Sequence, residues 1–173
     1  ENAYPPLQFL DKDGKAIGWE YDMVAELAKR LNFTVKYENI SWDAMIPAVS
    51  EGQFDVGMTG ITITDERKAN ALFTDGYFDA DQSLLVRTAD KDTFTTLDSL
   101  KGKTIAVQTG TTGEKYAQDN AKDSTLKSFD EPAAMFLALE GKQVDAVLQD
   151  LPINAFRAVK QGTTQVTATF PTD

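Results

Sequence analysis

The chemistry open to this 173-residue chain is narrowed as much by what it lacks as by what it holds. It has no cysteine and no histidine. That removes thiol catalysis, disulfides, a Ser-His-Asp triad and the usual Cys/His zinc site. Three short stretches carry the remaining capacity. The first is Thr59-Gly60-Ile61-Thr62-Ile63-Thr64-Asp65-Glu66-Arg67. Gly60 lets a ligand approach the backbone. Thr62 offers a hydroxyl and an amide, and Arg67 a planar fork matched to a carboxylate. The run also reads as a capped helix with Arg67 in a surface ion pair. The second is Gln108-Thr109-Gly110-Thr111-Thr112-Gly113. A glycine-rich loop entering a helix aims backbone N–H groups at an anion. Without the Gly-Lys-Ser/Thr ending of a P-loop, or a GxGxxG run, it suits a small carboxylate better than a nucleotide. A plain connection is the other reading. The third is Gln149-Asp150 at a strand end, where a carboxylate can take an ammonium group or cap the helix opening at Leu151-Pro152. Tyr4 and Trp42, on loops of the first half, can wall a pocket or sit at the rim of a core.

The elements that must hold these stretches alternate short apolar strands with amphipathic helices, an α/β pattern. Strands are predicted at Leu7–Leu10, Thr34–Glu38, Asp55–Met58 (buried), Gln82–Arg87, Thr104–Val107 and Ala146–Gln149. Met23, Val24, Leu27, Ala28 and Leu31 form a helical stripe ending at Asn32. Further helices are predicted over Pro47–Glu51 with Pro47 in the first turn, Asp65–Lys68 capped by Thr64, and Glu114–Asn120. The last two are one from an Asp130 cap to Glu140, and Leu151–Lys160. The unit Glu51-Gly52-Gln53-Phe54-Asp55-Val56 is echoed in Glu140-Gly141-Lys142-Gln143-Val144-Asp145-Ala146-Val147. Each is a helix end, a glycine stop, an Asp and a strand with polar residues at its end. Ligands of open α/β sheets lie beyond the carboxyl ends of strands, so the echo suggests two lobes facing one cleft. A repeated supersecondary element without function would look the same. A net charge of −10 argues against nucleic-acid binding. No apolar run reaches the ~20 residues of a membrane span. No signal segment opens the sequence, so an exported protein would already have lost it.

Together these stretches resemble the amino-acid-binding proteins of ABC importers, the family-3 solute-binding proteins. The matching segments are Tyr4-Pro5-Pro6-Leu7-Gln8-Phe9, Gly18-Trp19-Glu20-Tyr21-Asp22, Trp42-Asp43-Ala44-Met45-Ile46-Pro47-Ala48, Gly60 through Arg67, Gln108 through Gly113, and Val144 through Asp150. The Gly-Ile-Thr-Ile-Thr-Asp-Glu-Arg run is the most specific of them. The resemblance implies a two-lobe type II periplasmic-binding fold, each lobe a small sheet flanked by helices. It implies a first lobe over 1–79, a hinge over 80–86, a second lobe over 87–169, and the start of a return hinge at 170–173. Arg67 would clamp an α-carboxylate with the amides of Thr62 and Thr112. The Gly60 carbonyl, the Thr62 hydroxyl and Asp150 would hold the α-ammonium. Tyr4 and Trp42 would sandwich the side chain, and Glu1, Gln108, Thr111 and Gln149 would read it. Thr59 belongs to the same ligand-binding set.

Relative to the resembling proteins the sequence lacks an opening strand and a closing stretch, and a truncated chain is expected. The polar readers disfavour an aliphatic ligand, which would leave them unpaired, and Glu1 disfavours an acidic one. Glutamine, arginine or lysine remain. The expected protein is a monomer without a cofactor or metal. It would bind a free amino acid for an ABC permease, in the periplasm or lipid-anchored outside the cell. Two alternatives share the fold: a sensor domain cut from a membrane receptor, and an enzyme like cyclohexadienyl dehydratase.

Overall fold

The computed structural model describes residues 3–172, with the backbone alone at Ala3. Glu1 lies outside the described residues. The chain divides into two compact units, one running to Phe78 and the other starting at Asp79.

In the first unit, strands β1 (Ala3–Tyr4), β2 (Gln8–Leu10) and β3 (Ala16–Ile17) form an antiparallel sheet in the order β1-β2-β3. Asp11 closes the β2–β3 turn, its Oδ1 accepting from the amides of Asp13 and Lys15 at 2.9 Å each. Helix α1 (Trp19–Leu31) follows Gly18. A Cβ at Gly18 would meet the Leu7 carbonyl oxygen at 2.3 Å, and its φ of 133° excludes ordinary side chains. That glycine is what allows α1 to start against the sheet. Asn32 closes the helix in the left-handed conformation, φ 55°, as its predicted stop requires. The stripe on α1 is buried unevenly. Met23 and Val24 are half-buried, whereas Leu27 and Leu31 are exposed.

Helix α2 (Trp42–Ser50) begins five residues earlier than its predicted start, with extended Ser41 as N-cap. Pro47 therefore lies inside the helix, where its missing N–H withholds the i+4 donor from the Asp43 carbonyl. Helix α3 (Asp65–Lys68) is capped by Thr64, whose hydroxyl oxygen accepts from the Arg67 amide at 3.2 Å. Thr34–Glu38 and Asp55–Met58 are not strands. Val56, expected to be buried, is 77% exposed. β-Branched alternation becomes a strand only where a neighbour completes the ladder, and among the described residues nothing pairs with either segment.

The second unit is built on five strands: β4 (Gln82–Arg87), β5 (Thr104–Gln108), β6 (Thr125–Phe129), β7 (Ala146–Asp150) and β8 (Thr164–Phe170). Their order is β6-β5-β7-β4-β8. β5 runs parallel to β6 and β7, and β4 antiparallel to β7 and β8. Residues 82–86, read as part of a hinge, thus lie within β4. Helices α4 (Thr112–Asn120), α5 (Pro132–Glu140) and α6 (Leu151–Gln161) connect the strands. Leu84, Val86, Ile105, Val107 and Ala146 are fully buried, and Leu148 almost so; all six belong to one core cluster. Near-continuous apolar runs of this kind suit strands covered on both faces. The N-cap of α5 is Glu131, not Asp130, with Pro132 at the helix start.

Candidate functional site

Each unit carries its own cluster of the residues singled out by sequence. In the first unit, β1 ends at Tyr4, α2 opens at Trp42, and the loop from Thr59 feeds α3. Thr59 is buried, and its hydroxyl accepts from the Gln8 side-chain amide, itself buried on β2. Gly60 has φ 60°. A Cβ there would sit 3.1 Å from Tyr4 Cε1 and 3.2 Å from Leu7 Cδ1, so glycine is what lets the Tyr4 ring lie against this loop. The Gly60 amide donates to Glu20 Oε1 at 2.8 Å, and the Tyr77 hydroxyl donates to the same oxygen at 2.7 Å. Burial pushes the Glu20 carboxyl above its usual range, against the opposing pull of the Tyr77 and Gly60 hydrogen bonds. Tyr77 is pushed up too, first by burial and then by its bond to Glu20.

Arg67 leaves α3 half-buried. Its Nη1 donates to the Thr62 carbonyl at 3.0 Å, and its guanidinium carbon lies 5.2 Å from the centre of the Trp42 ring. Hydrogen bonding and cation–π attraction hold the fork. Thr62 and Arg67 thus form one group with Trp42, and Thr59 and Gly60, earlier on the same loop, meet Gln8 and Tyr4.

In the second unit the candidate residues stand at the carboxyl ends of β5 and β7. Gln108 and Gln149 are both almost fully buried, and Gln149 Nε2 lies 3.5 Å from Gln108 Oε1. Gln108 Nε2 donates to the Asp130 carbonyl at 3.1 Å, and Gln149 Oε1 accepts the Asp150 amide at 3.0 Å. Thr111 caps α4: its Oγ1 accepts from the Glu114 amide at 3.1 Å and donates to the Gln108 carbonyl at 2.8 Å. Thr112 is the first helical residue. The Gly110 amide donates to Glu114 Oε2 at 2.8 Å, so a carboxylate of the protein itself already faces part of this turn. Asp150 occupies the N-cap position of α6, but its side chain makes no capping hydrogen bond; Oδ1 accepts instead from Gln82 Nε2.

Glu20, Tyr77, Gln8 and Gln82 support these clusters and were given no role from sequence. Two of them left a trace. Glu20 lies on the stripe of α1, four residues before Val24, where an acidic residue implies a buried partner. Gln82 alternates with Leu84 and Val86 on one side of β4, a polar residue in line with the core.

A family model described as bacterial extracellular solute-binding proteins, family 3, matches residues 1–131. An arginine-binding periplasmic protein from Mannheimia haemolytica is 31% identical over 160 residues, 92% of this chain and 65% of that protein. The chain therefore spans just under two thirds of that relative's length. Among solved structures, an ancestral arginine-binding protein bound to glutamine aligns with a TM-score of 0.92 at 34% identity, covering 100% of this chain and 78% of that one. The ancestral amino-acid-binding protein AncCDT-1, described as a precursor of cyclohexadienyl dehydratase, aligns with a TM-score of 0.92 at 33% identity, covering 98% of this chain and 74% of that one.

Proposed function

This chain belongs to the family-3 bacterial extracellular solute-binding proteins, with their type II periplasmic-binding fold, and from that premise we propose that it binds a polar L-amino acid for delivery to an ABC permease. The observation that carries the reading is Arg67, its fork braced by the Thr62 carbonyl and stacked by Trp42. A guanidinium held this way is prepared for a carboxylate in two-point contact. The ligand carboxylate binds Arg67 with the amides of Thr62 and Thr112. Its ammonium binds the Gly60 carbonyl, the Thr62 hydroxyl and Asp150, and its side chain lies between Tyr4 and Trp42. Thr59 completes the set from the first lobe. The lobes close on the ligand because it stabilises the closed state by touching both. No bond is made or broken.

Arginine is the leading ligand, with glutamine and lysine next. The polar readers Gln108, Thr111 and Gln149 support an amide or cationic side chain, and Glu1 supports the cation. Arginine and glutamine, named for two of the similar proteins, support this reading, while other relatives are named for cystine and histidine. The protein acts as a monomer outside the cytoplasm, free in the periplasm or lipid-anchored. Calorimetric titration with arginine, glutamine, lysine, glutamate and leucine tests the reading. Binding of arginine or glutamine with weak or absent binding of leucine is expected, and tight binding of leucine or glutamate alone overturns it.

A second reading is elimination of water from a cyclic acid on the same fold, since AncCDT-1, itself an amino-acid-binding protein, is described as a precursor of cyclohexadienyl dehydratase. Turnover of prephenate or arogenate would establish it, with a buried carboxylate as general acid.

A further inference from the structure

Gln82 stands opposite Asp150 in the β4–β7 ladder, and its side chain is 98% buried within a strand whose next same-side residues are Leu84 and Val86. Its Nε2 donates to Asp150 Oδ1. A primary amide has no other way to face a carboxylate, since its oxygen would meet acceptor with acceptor. The amide oxygen is therefore turned to the far side. There Oε1 is buried without a hydrogen-bond partner among the described residues, and it lies against Gly113, where a Cβ would come within 2.7 Å of it. A buried amide with an unpaired oxygen costs stability that methionine or leucine in the same place would not. Asp150, for its part, sits at a helix N-cap and does not use its side chain to cap. Both facts describe a carboxylate oriented by Gln82 and not by the helix end.

We propose that Gln82 is a positioning residue for ammonium recognition: it fixes the Asp150 carboxylate and, through its contact with Gly113, couples that carboxylate to the turn that opens α4. The inference rests on the reading of Asp150 as the ammonium acceptor. It adds that Asp150 works only in the orientation Gln82 imposes, and that a side chain at position 113 would displace the Gln82 amide. Gly113 has no positive φ, so the backbone admits Ala there and only the Gln82 amide has to move.

The test is calorimetric titration of the whole protein with L-arginine and L-glutamine, in variants whose folding is checked by thermal unfolding. Gln82→Met preserves bulk and removes the donor; it weakens binding about tenfold, the size of a lost charge-assisted hydrogen bond. In an Asp150→Asn background the same change adds no further loss, whereas a merely structural role would weaken both backgrounds equally. Gly113→Ala displaces the Gln82 amide and weakens binding like Gln82→Met. In a Gln82→Ala background, where the space is open, Gly113→Ala has no effect. Unchanged affinity in Gln82→Met, or equal losses in the native and Asp150→Asn backgrounds, overturns the inference while leaving Asp150 in place. Unchanged affinity in Asp150→Asn, or no binding of either amino acid to the native protein, overturns the reading beneath it as well.

Discussion

The two units hold their candidate residues by different means. In the second, Gln108, Gln149 and Asp150 stand at the ends of strands whose cores are fully buried, and Thr111 and Thr112 open a nine-residue helix. Regular backbone does the positioning. In the first, the strands are two or three residues long, and Leu31, Val56 and Leu72 are 68%, 77% and 102% exposed. Side chains do the positioning there: Glu20 and Tyr77 on Gly60, Gln8 on Thr59, Trp42 and Thr62 on Arg67. Candidate residues can be held at strand ends or by a web of polar contacts, and the second kind depends on individual residues.

That contrast can be broken by five measurements. The largest effect is expected for Arg67→Ala, which removes the clamp from the web. Binding of arginine should weaken by about 3 kcal/mol or more in calorimetry, the scale of a lost partner to a desolvated charge, and unchanged affinity would refute the first unit's role. Next comes Leu84→Ala, which opens a cavity in the β4 core and should cost about 2–5 kcal/mol in denaturant unfolding. Leu72→Ala, on an exposed side chain, should stay within about 0.5 kcal/mol. A loss at Leu72 comparable with that at Leu84 would mean that this surface is covered in the whole protein, and would erase the contrast. Smaller than the Leu84 loss is that of the cap: Thr111→Ala should cost about 1 kcal/mol by removing the acceptor for the Glu114 amide, read from the unfolding midpoint, with Thr111→Ser restoring most of it.

The smallest effect is a slope with pH. Burial raises the Glu20 carboxyl above its ordinary 4.5, so between 4.5 and that raised value the folded state holds more protons than the unfolded one. Stability linked to Glu20 is therefore greatest below about 4.5 and declines as pH rises through the native value. Relative to Glu20→Gln, the native protein should gain melting temperature as pH falls toward 4.5. A difference that stays flat, or widens the other way, would mean the hydrogen bonds from Gly60 and Tyr77 outweigh burial.

Much of the second unit was legible because its signals are local. The strands at Thr104–Val107 and Ala146–Gln149 are largely apolar runs, whereas the helix predicted from Glu114 begins two residues earlier, at Thr112, after its Thr111 cap. β8 was overlooked although Thr164-Gln165-Val166-Thr167-Ala168-Thr169-Phe170 is rich in β-branched residues. β6, a parallel edge strand largely open to solvent, has no apolar run to announce it. In the first unit, Thr34–Glu38 and Asp55–Met58 carry strand-like composition without strand structure, because propensity cannot supply a pairing partner.

What the sequence determined by itself was the chemical inventory: no thiol or imidazole, one arginine in a Thr-Asp-Glu-Arg run, one aspartate at a strand-to-helix junction, and glycines where the chain must turn or let another group approach. Those are properties of residue type and short spacing. Only the tertiary structure decided how the groups are oriented. Arg67 is stacked on Trp42 from twenty-five positions away, Glu20 reaches Gly60 across forty residues, and Asp150 is turned from helix capping by Gln82, sixty-eight residues earlier. Such contacts are formed by hydrogen-bonding groups that burial forces to find partners, and which partner each finds depends on how the chain returns upon itself.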